Sequence, residues 1–416
     1  MKAVYFSPLP PERSGIADYS ALLLPALSRR LDVVVARRGR RRAGRAADVA
    51  LYHVGNDPAS HGWIVEALRA RPGVVVLHDW VLHHLVAGLT LARRDVASYL
   101  EAMERDAGLV DRLLGLGVVD GCVPPLWEDR PERFPLAAFV LEQTHDVGVI
   151  VHSRYVEERV RSSGYRGPVW RIPHPAWPAP AVEPADLGPG PVVGSLGNLN
   201  LDKRIPQLLA AFVLLRERVP DARLLLVGSA TDRLDLDARL RSLELPEGAI
   251  IREPYADEPR LWSLLARCDV CVSLRSPTMG ETSGVAIRAL SRGTPLVVSD
   301  AGWFAELPGE VALRVPADER EIERLAATLE LLVTQEDARR ALGDAGRAYA
   351  AREHDVDRVA GLYAAALEEA AGGPAVGGAV SREVGAAAAE VGIAPGSEDA
   401  AELAARLRET DVVRSS

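Results

Sequence analysis

The sequence predicts an α/β protein built from two doubly wound domains that face a central cleft. Three observations carry this prediction. At 416 residues the chain is longer than one ordinary core organises. Short Val-rich strands alternate with amphipathic helices through both halves, as parallel sheets covered on both faces require. Proline and glycine crowd into "PHPAWPAPAVEPADLGPGP" at 173–191, after which the alternation restarts. Domains are therefore expected over 1–175 and 191–355, joined by a linker at 176–190. A terminal helix over 356–371 is expected to pack back toward the first domain, followed by a flexible tail at 372–416.

The elements run in order along the chain. "KAVYF" is a short apolar strand. "IADYSALLLPALSRR" sets Ile16, Tyr19, Leu22, Leu23 and Leu27 on one helical face. "LDVVV", "DVALYH", "GVVVLH" and "VGVIVHS" read as buried strands. Between the last two, a long helical stretch over about 81–144 decorates the domain. In the second half "PVVGSLG", "ARLLLVGS", "AIIREPY", "CDVCVSLR" and "TPLVVSD" read as strands, with "RIPQLLAAFVLLRERV" as the first intervening helix. "DVDRVAGLYAAALEEA" is a final amphipathic helix. The Ala/Gly/Glu-rich residues beyond it hold at most one weak helix, "EDAAELAARLRE".

Composition narrows the function. Hydrophobic residues make up 48% and charged residues 26% of the chain, as in a globular protein. No apolar run of about twenty residues is present, so no spanning helix is expected. "MKAVYFSPLP" lacks the pattern of a signal peptide, which reads as cytoplasmic. Cys122, Cys268 and Cys271 do not make a disulfide framework, and the C-x-x-C spacing of the last two lies in a strand-like stretch suited to core packing. No metal site is assembled from the sequence. A formal net charge of −9 argues against nucleic acid as a partner. One basic run, "ARRGRRRAGR", is either a solvated loop or a patch for anionic lipid or an acidic acceptor, with residues 37–45 as a peripheral membrane contact. Lys2 and Lys203 are the only lysines, which singles out Lys203.

Four motifs carry chemistry. In "PLPPERSGIADYS", Gly15 precedes the first helix, where the backbone can approach a ligand and free N–H groups favour an anion. An ordinary βα turn explains the same residues. His78 and Asp79 end a buried strand, where sites form in open sheets; His78 could donate to a sugar hydroxyl or satisfy a carbonyl. "GSLGNLNLDKRI" places Gly197 at a strand end and Lys203 and Arg204 at a helix start. Cations there oppose the helix dipole unless an anion such as a pyrophosphate lies between. In "MGETSGVAIRALSRGTPLVVSD", Thr282 and Ser283 are placed to cap a helix. The N–H groups of Thr282, Ser283 and Gly284 could equally hold phosphate oxygens, with the acceptor-only Glu281 on sugar hydroxyls.

These pieces in this order resemble the retaining glycosyltransferases of the GT-B fold, specifically glycosyltransferase family 4. The resemblance spans about 1–371 by segment order and is clearest over 191–308. Its centre is "GETSGVAIRALSRGTPLVVSDAGWFAELP". There Glu281 looks like the family's first glutamate displaced by one position, and Gly293, Thr294, Pro295, Asp300, Gly302 and Glu306 match the rest. Arg288 departs from the pattern: it stands where the family has a second, ribose-binding glutamate. It can bind a phosphate, donate to the ribose or pair with an acid. Asn198 replaces a frequent arginine, whose charge Arg204 or Arg275 can supply.

The resemblance implies a nucleotide-diphosphate sugar as co-substrate, UDP or GDP first, with no other cofactor, no divalent metal and retention of anomeric configuration. It implies a saccharide, lipid-linked or small-molecule acceptor. It also implies roles: Gly15 near the pyrophosphate, Lys203 and Arg204 on the leaving diphosphate, Gly228 and residues 252–255, including Tyr255, near the base, and His78 near the transferred sugar. Catalytic candidates are thus His78, Glu281 and Lys203. The donor-binding set is Gly15, Gly197, Arg204, Gly228, Tyr255, Arg275, Thr282, Ser283, Gly284 and Arg288. A nucleotide-binding, non-catalytic partner of another enzyme is the second reading, motivated by Arg288 and Asn198. A sugar-nucleotide epimerase or phosphorylase is a third.

Overall fold

The computed structural model describes residues 1–39, 47–231, 233–372, 384–389, 391–394 and 397–409. Most of the arginine-rich run and much of the tail lie outside the described residues. The first domain carries β1 (Lys2–Phe6), β2 (Asp32–Val35), β3 (Val49–Val54), β4 (Val74–Leu77), β5 (Val149–Val151) and β6 (Val169–Arg171). They form one parallel sheet in the order β2-β1-β3-β4-β5-β6. The second carries β7 (Val192–Leu196), β8 (Arg223–Val227), β9 (Ile250–Glu253), β10 (Val270–Ser273), β11 (Leu296–Ser299) and β12 (Leu313–Val315), in the parallel order β9-β8-β7-β10-β11-β12. Burial on both faces explains the unbroken valine runs: every residue of β3, β4, β5 and β11 is buried.

Each sheet has one point where the strand order reverses, between β1 and β3 and between β7 and β10. Ligand crevices open beyond the carboxyl ends of strands at such points. Here those ends lead into the segments holding Gly15, Asn56, Gly197 and Arg275.

In the first domain, helices α1 (Gly15–Ser28) and α2 (Pro58–Ala70) flank the sheet on opposite faces. The stretch at 81–144 is not one long helix. It breaks into α3 (His83–Leu89), α4 (Val96–Ala107), α5 (Leu109–Val119), α6 (Leu126–Asp129) and α7 (Ala138–Leu141), with short 3-10 turns between. The breaks have local causes. Gly108 takes φ +92° between α4 and α5, and Pro124, Pro125, Pro131 and Pro135 interrupt the chain beyond α5. Helix α8 (Arg154–Ser162) leads to β6. Strands β6 and β12 were not anticipated. They are three-residue sheet edges, "VWR" and "LRV", too short and too exposed to show a pattern.

The second domain adds α9 (Ile205–Arg218), α10 (Leu236–Ser242), α11 (Glu258–Arg267), α12 (Gly284–Arg292), α13 (Glu321–Thr334) and α14 (Glu336–Glu353). Cys268 and Cys271 are buried within it. The chain then crosses back. Helix α15 (Val356–Ala370) packs on α1, where the Tyr19 and Tyr363 hydroxyls are 2.7 Å apart, and Trp170 Nε1 donates to Glu369 at 2.9 Å. No helix among the described residues is long and apolar enough to cross a membrane.

Candidate active site

The two domains meet around a cavity of about 260 Å³, lined from the first domain by Gly15, Asn56, His78, Asp79 and their neighbours and from the second by Glu281, Thr282, Gly284 and Arg288. A larger cavity of about 860 Å³ runs along α2, lined in part by Phe6, Tyr52, Trp63 and Arg93.

The mouth of α12 is built by its own sequence. Ser283 is the N-cap, its hydroxyl accepting from Ala286 N at 3.3 Å, and Gly293 closes the helix at φ +79°. Among the described residues the N–H groups of Thr282, Ser283 and Gly284 donate to no protein atom, and the Thr282 hydroxyl is buried without a partner. Glu281 is fixed by neighbours on the same loop. It accepts from Met279 N at 2.8 Å and from the Thr278 hydroxyl at 3.2 Å, and it pairs with Arg275 at the end of β10.

Lys203 is half-buried near this pair. Its ammonium donates to Leu196 O at 3.2 Å, with no carboxylate bonded to it among the described residues. Gly197, at φ +87°, makes room: a Cβ there would lie 2.7 Å from Lys203 Nζ. Burial, then repulsion from Arg275, pulls the Lys203 pKa down to about 7, against an upward pull from Glu281. Asp79 moves the opposite way, up to about 7, through burial and the Glu281 charge, although Asn56 N donates to it at 2.8 Å.

Arg288 pairs with an acid, one of the three uses its chemistry permits. Its guanidinium meets Glu258 at 2.9 Å and, across the domain boundary, Asp18 of α1 at 3.7 Å, and stacks 3.5 Å from the Trp177 ring centroid. Arg204 does not join the cavity. With φ +57° at the start of α9, its Nε lies 3.1 Å from both carboxylate oxygens of Glu321, which is 1% exposed. A buried carboxylate needs that cation, so Arg204 is committed to α13 rather than to a diphosphate. Gly228 N donates to Glu253 O at 2.8 Å, and Tyr255, 57% exposed, stacks under Arg13 of the first domain at 4.5 Å.

The sequence reading missed several lining residues: His61, His152, His174 and Trp177. A signal for the histidines was present. His53 near the end of β3, His78 after β4 and His152 after β5 fall at matching ends of adjacent parallel strands. His53 Nδ1 and His78 Nε2 are 2.9 Å apart, and burial holds both imidazoles neutral with pKa values well below the usual one. Among the described residues no three His, Cys, Asp or Glu side chains are placed to hold a metal ion together.

Two parallel-sheet domains with their site at facing switch points define a GT-B architecture. The family model for "Glycosyl transferases group 1" matches residues 184–349. The 2-deoxystreptamine glucosyltransferase of Streptomyces kanamyceticus is 25% identical over 44% of this chain and 46% of its own length. An uncharacterized glycosyltransferase of Bacillus subtilis, YqgM, is 25% identical over 37% and 42%. The aligned part therefore spans less than half of either relative. Among solved structures, Anabaena HepE in complex with UDP and glucose matches 89% of this chain and all of its own, with TM-score 0.59 and 16% identity. Sucrose-phosphate synthase from Thermosynechococcus elongatus matches 93% and 99%, with TM-score 0.56 and 20% identity. The chain thus has the GT-B fold, and within it residues 184–349 are similar to the group 1 glycosyl transferases.

Proposed function

We propose that this protein moves a sugar from a nucleoside-diphosphate donor to an acceptor hydroxyl, with retention of anomeric configuration and without a metal ion. One observation carries the reading: Glu281 and the open N–H groups of Thr282 and Gly284 share a cavity with Gly15, and behind Glu281 lie its partner Arg275 and a half-buried Lys203 that bonds no carboxylate among the described residues. A leaving diphosphate gains negative charge in the transition state. Fixed cations and helix N–H groups aimed at that charge lower the barrier without reorganising. Glu281 and His78 would orient the sugar, and closure of the domains would keep water from the donor. Donor binding is the first duty of Lys203 in this scheme; Arg204 has none.

UDP is the first base to test, since HepE of the same fold holds UDP and glucose, with GDP next. The acceptor, saccharide, lipid-linked or small, is assigned to the first domain. The three unpaired cysteines support a cytoplasmic setting. The expected result is a thermal-stability shift with UDP or GDP that is lost in Lys203→Ala, followed by product whose anomeric proton matches the donor configuration. A wild-type shift surviving in Lys203→Ala would sink the proposal. Arg288 favours the second reading, a nucleotide-binding partner of another enzyme, because Glu258 and Asp18 already occupy the arginine that stands where the resemblance implies a ribose-binding carboxylate. Nucleotide binding with neither transfer nor donor hydrolysis across candidate acceptors would select it.

A further inference from the structure

Six of the nine histidines lie buried in one connected group: His53, His61, His78, His152, His174 and His354. Four of them have their ring hydrogen assigned by a carbonyl. His61 Nδ1 lies 3.1 Å from His53 O, His152 Nδ1 2.8 Å from Ile172 O, His174 Nδ1 2.7 Å from Pro175 O and His354 Nδ1 2.7 Å from His174 O. A carbonyl only accepts, so each of these nitrogens carries the hydrogen. In a neutral ring Nε2 is then bare. The Nε2 atoms of His152 and His354 are indeed buried without partners, so this core tolerates an unpaired ring lone pair.

The remaining pair is His53 and His78, bonded Nδ1 to Nε2 at 2.9 Å. The third buried, unpartnered ring nitrogen is His53 Nε2. If it carried the hydrogen, it would be a buried N–H with no acceptor, the rarer and costlier defect. With the hydrogen on Nδ1, His53 matches the other four and donates to His78 Nε2. His78 then carries its own hydrogen on Nδ1. His78 is 8% exposed and lines the cavity, and its Nδ1 has no protein partner among the described residues.

We propose that His53 is a positioning residue that holds His78 in the Nδ1–H tautomer, so that His78 offers the cavity a hydrogen-bond donor rather than an acceptor. The group it meets is an oxygen acceptor. On the glycosyl-transfer reading, that is a hydroxyl or ring oxygen of the transferred sugar or an oxygen of the leaving phosphate.

The test is nitrogen-15 NMR of the full chain labelled on histidine rings, without substrate, with His78 assigned by its loss in His78→Gln. Wild type is expected to show a protonated, pyrrole-type Nδ1 and a bare, pyridine-type Nε2 on His78. His53→Leu removes the donor, and the single-tautomer signature of His78 is lost. His53→Asn keeps an amide N–H near the same place and restores it. A bare Nδ1 on His78 in wild type overturns the proposal, and so does an unchanged His78 in folded His53→Leu. If His53→Leu does not fold, the wild-type and His53→Asn spectra decide. The measurement needs no turnover, so it stands or falls separately from the failure of donor binding that would sink the transfer reading.

Discussion

Lys203 is where a single side chain couples charge, burial and pH. Its pKa of about 7 means that above pH 7 the free protein presents an amine, not an ammonium, to an incoming diphosphate. Diphosphate affinity is therefore expected to fall as pH rises, by up to about tenfold per unit where only the ammonium binds. Calorimetric titration with UDP between about pH 6.5 and 8.5, above the nucleotide's own phosphate step near 6, reads that slope. Lys203→Met should flatten it, and whatever slope remains belongs to Asp79. Stability has the opposite sign. The unfolded lysine holds its proton to about 10.4, so between about 7 and 10.4 the unfolded chain binds more protons and Lys203 makes folding more favourable as pH rises. Arg288 gives a second residue-level expectation. Arg288→Glu would set a third carboxylate between Glu258 and Asp18. A loss on the order of 2 kcal/mol in urea unfolding is expected, kept modest because both partner acids are about half exposed. An unchanged midpoint would show that the guanidinium cluster contributes nothing.

At the scale of elements, the mouth of α12 combines a cap with open donors. Ser283 satisfies Ala286 N while Thr282, Ser283 and Gly284 keep their N–H groups free. Ser283→Ala should cost about 1 kcal/mol of stability, measured by denaturant unfolding, while UDP affinity changes little because the side chain, not the backbone donors, is removed. The same element shows how far the sequence could be read. Its capping hydroxyls, its glycine stop and its apolar strand are local signals, and so are the valine runs of β3, β4 and β5. Arg288's partners are not. Asp18 and Glu258 sit in the first turns of α1 and α11, where an acid already has a local reason to be. Arg204 misled for the same reason: Glu321 lies 117 residues away, and only the packing of α13 on α9 joins them. The histidine group is legible only after the register of β3, β4 and β5 is known.

At the scale of the molecule, the domains are tied by backbone as much as by side chains. Met279 O accepts from both Trp80 N and Val81 N, at 2.7 and 2.9 Å. Glu306 caps α8 of the other domain, accepting from Arg154 N at 3.0 Å and Tyr155 N at 2.7 Å, and Glu132 accepts from Thr278 N at 2.8 Å. Gly280 permits this approach: at φ +85°, a Cβ there would fall 2.6 Å from Trp80 Cβ. Helix α15 adds a covalent tie, because it belongs to the first domain's core while following the second in sequence. Ending the chain after residue 372 should leave the thermal midpoint nearly unchanged. Ending it after residue 355 removes Val359, Tyr363 and Leu367 from that core and should yield an insoluble or molten product in gel filtration and circular dichroism.

That crossing has a consequence for biosynthesis. The strands of the first domain leave the ribosome before the second domain does, yet one wall of their core, α15, is made after it. Until residue 370 emerges, the sheet face that Tyr363 and Leu367 will cover stays wet and adhesive. The nascent chain must carry an unfinished half through the whole translation of the other. The second domain, whose strands and helices are contiguous in sequence, can complete its own core first.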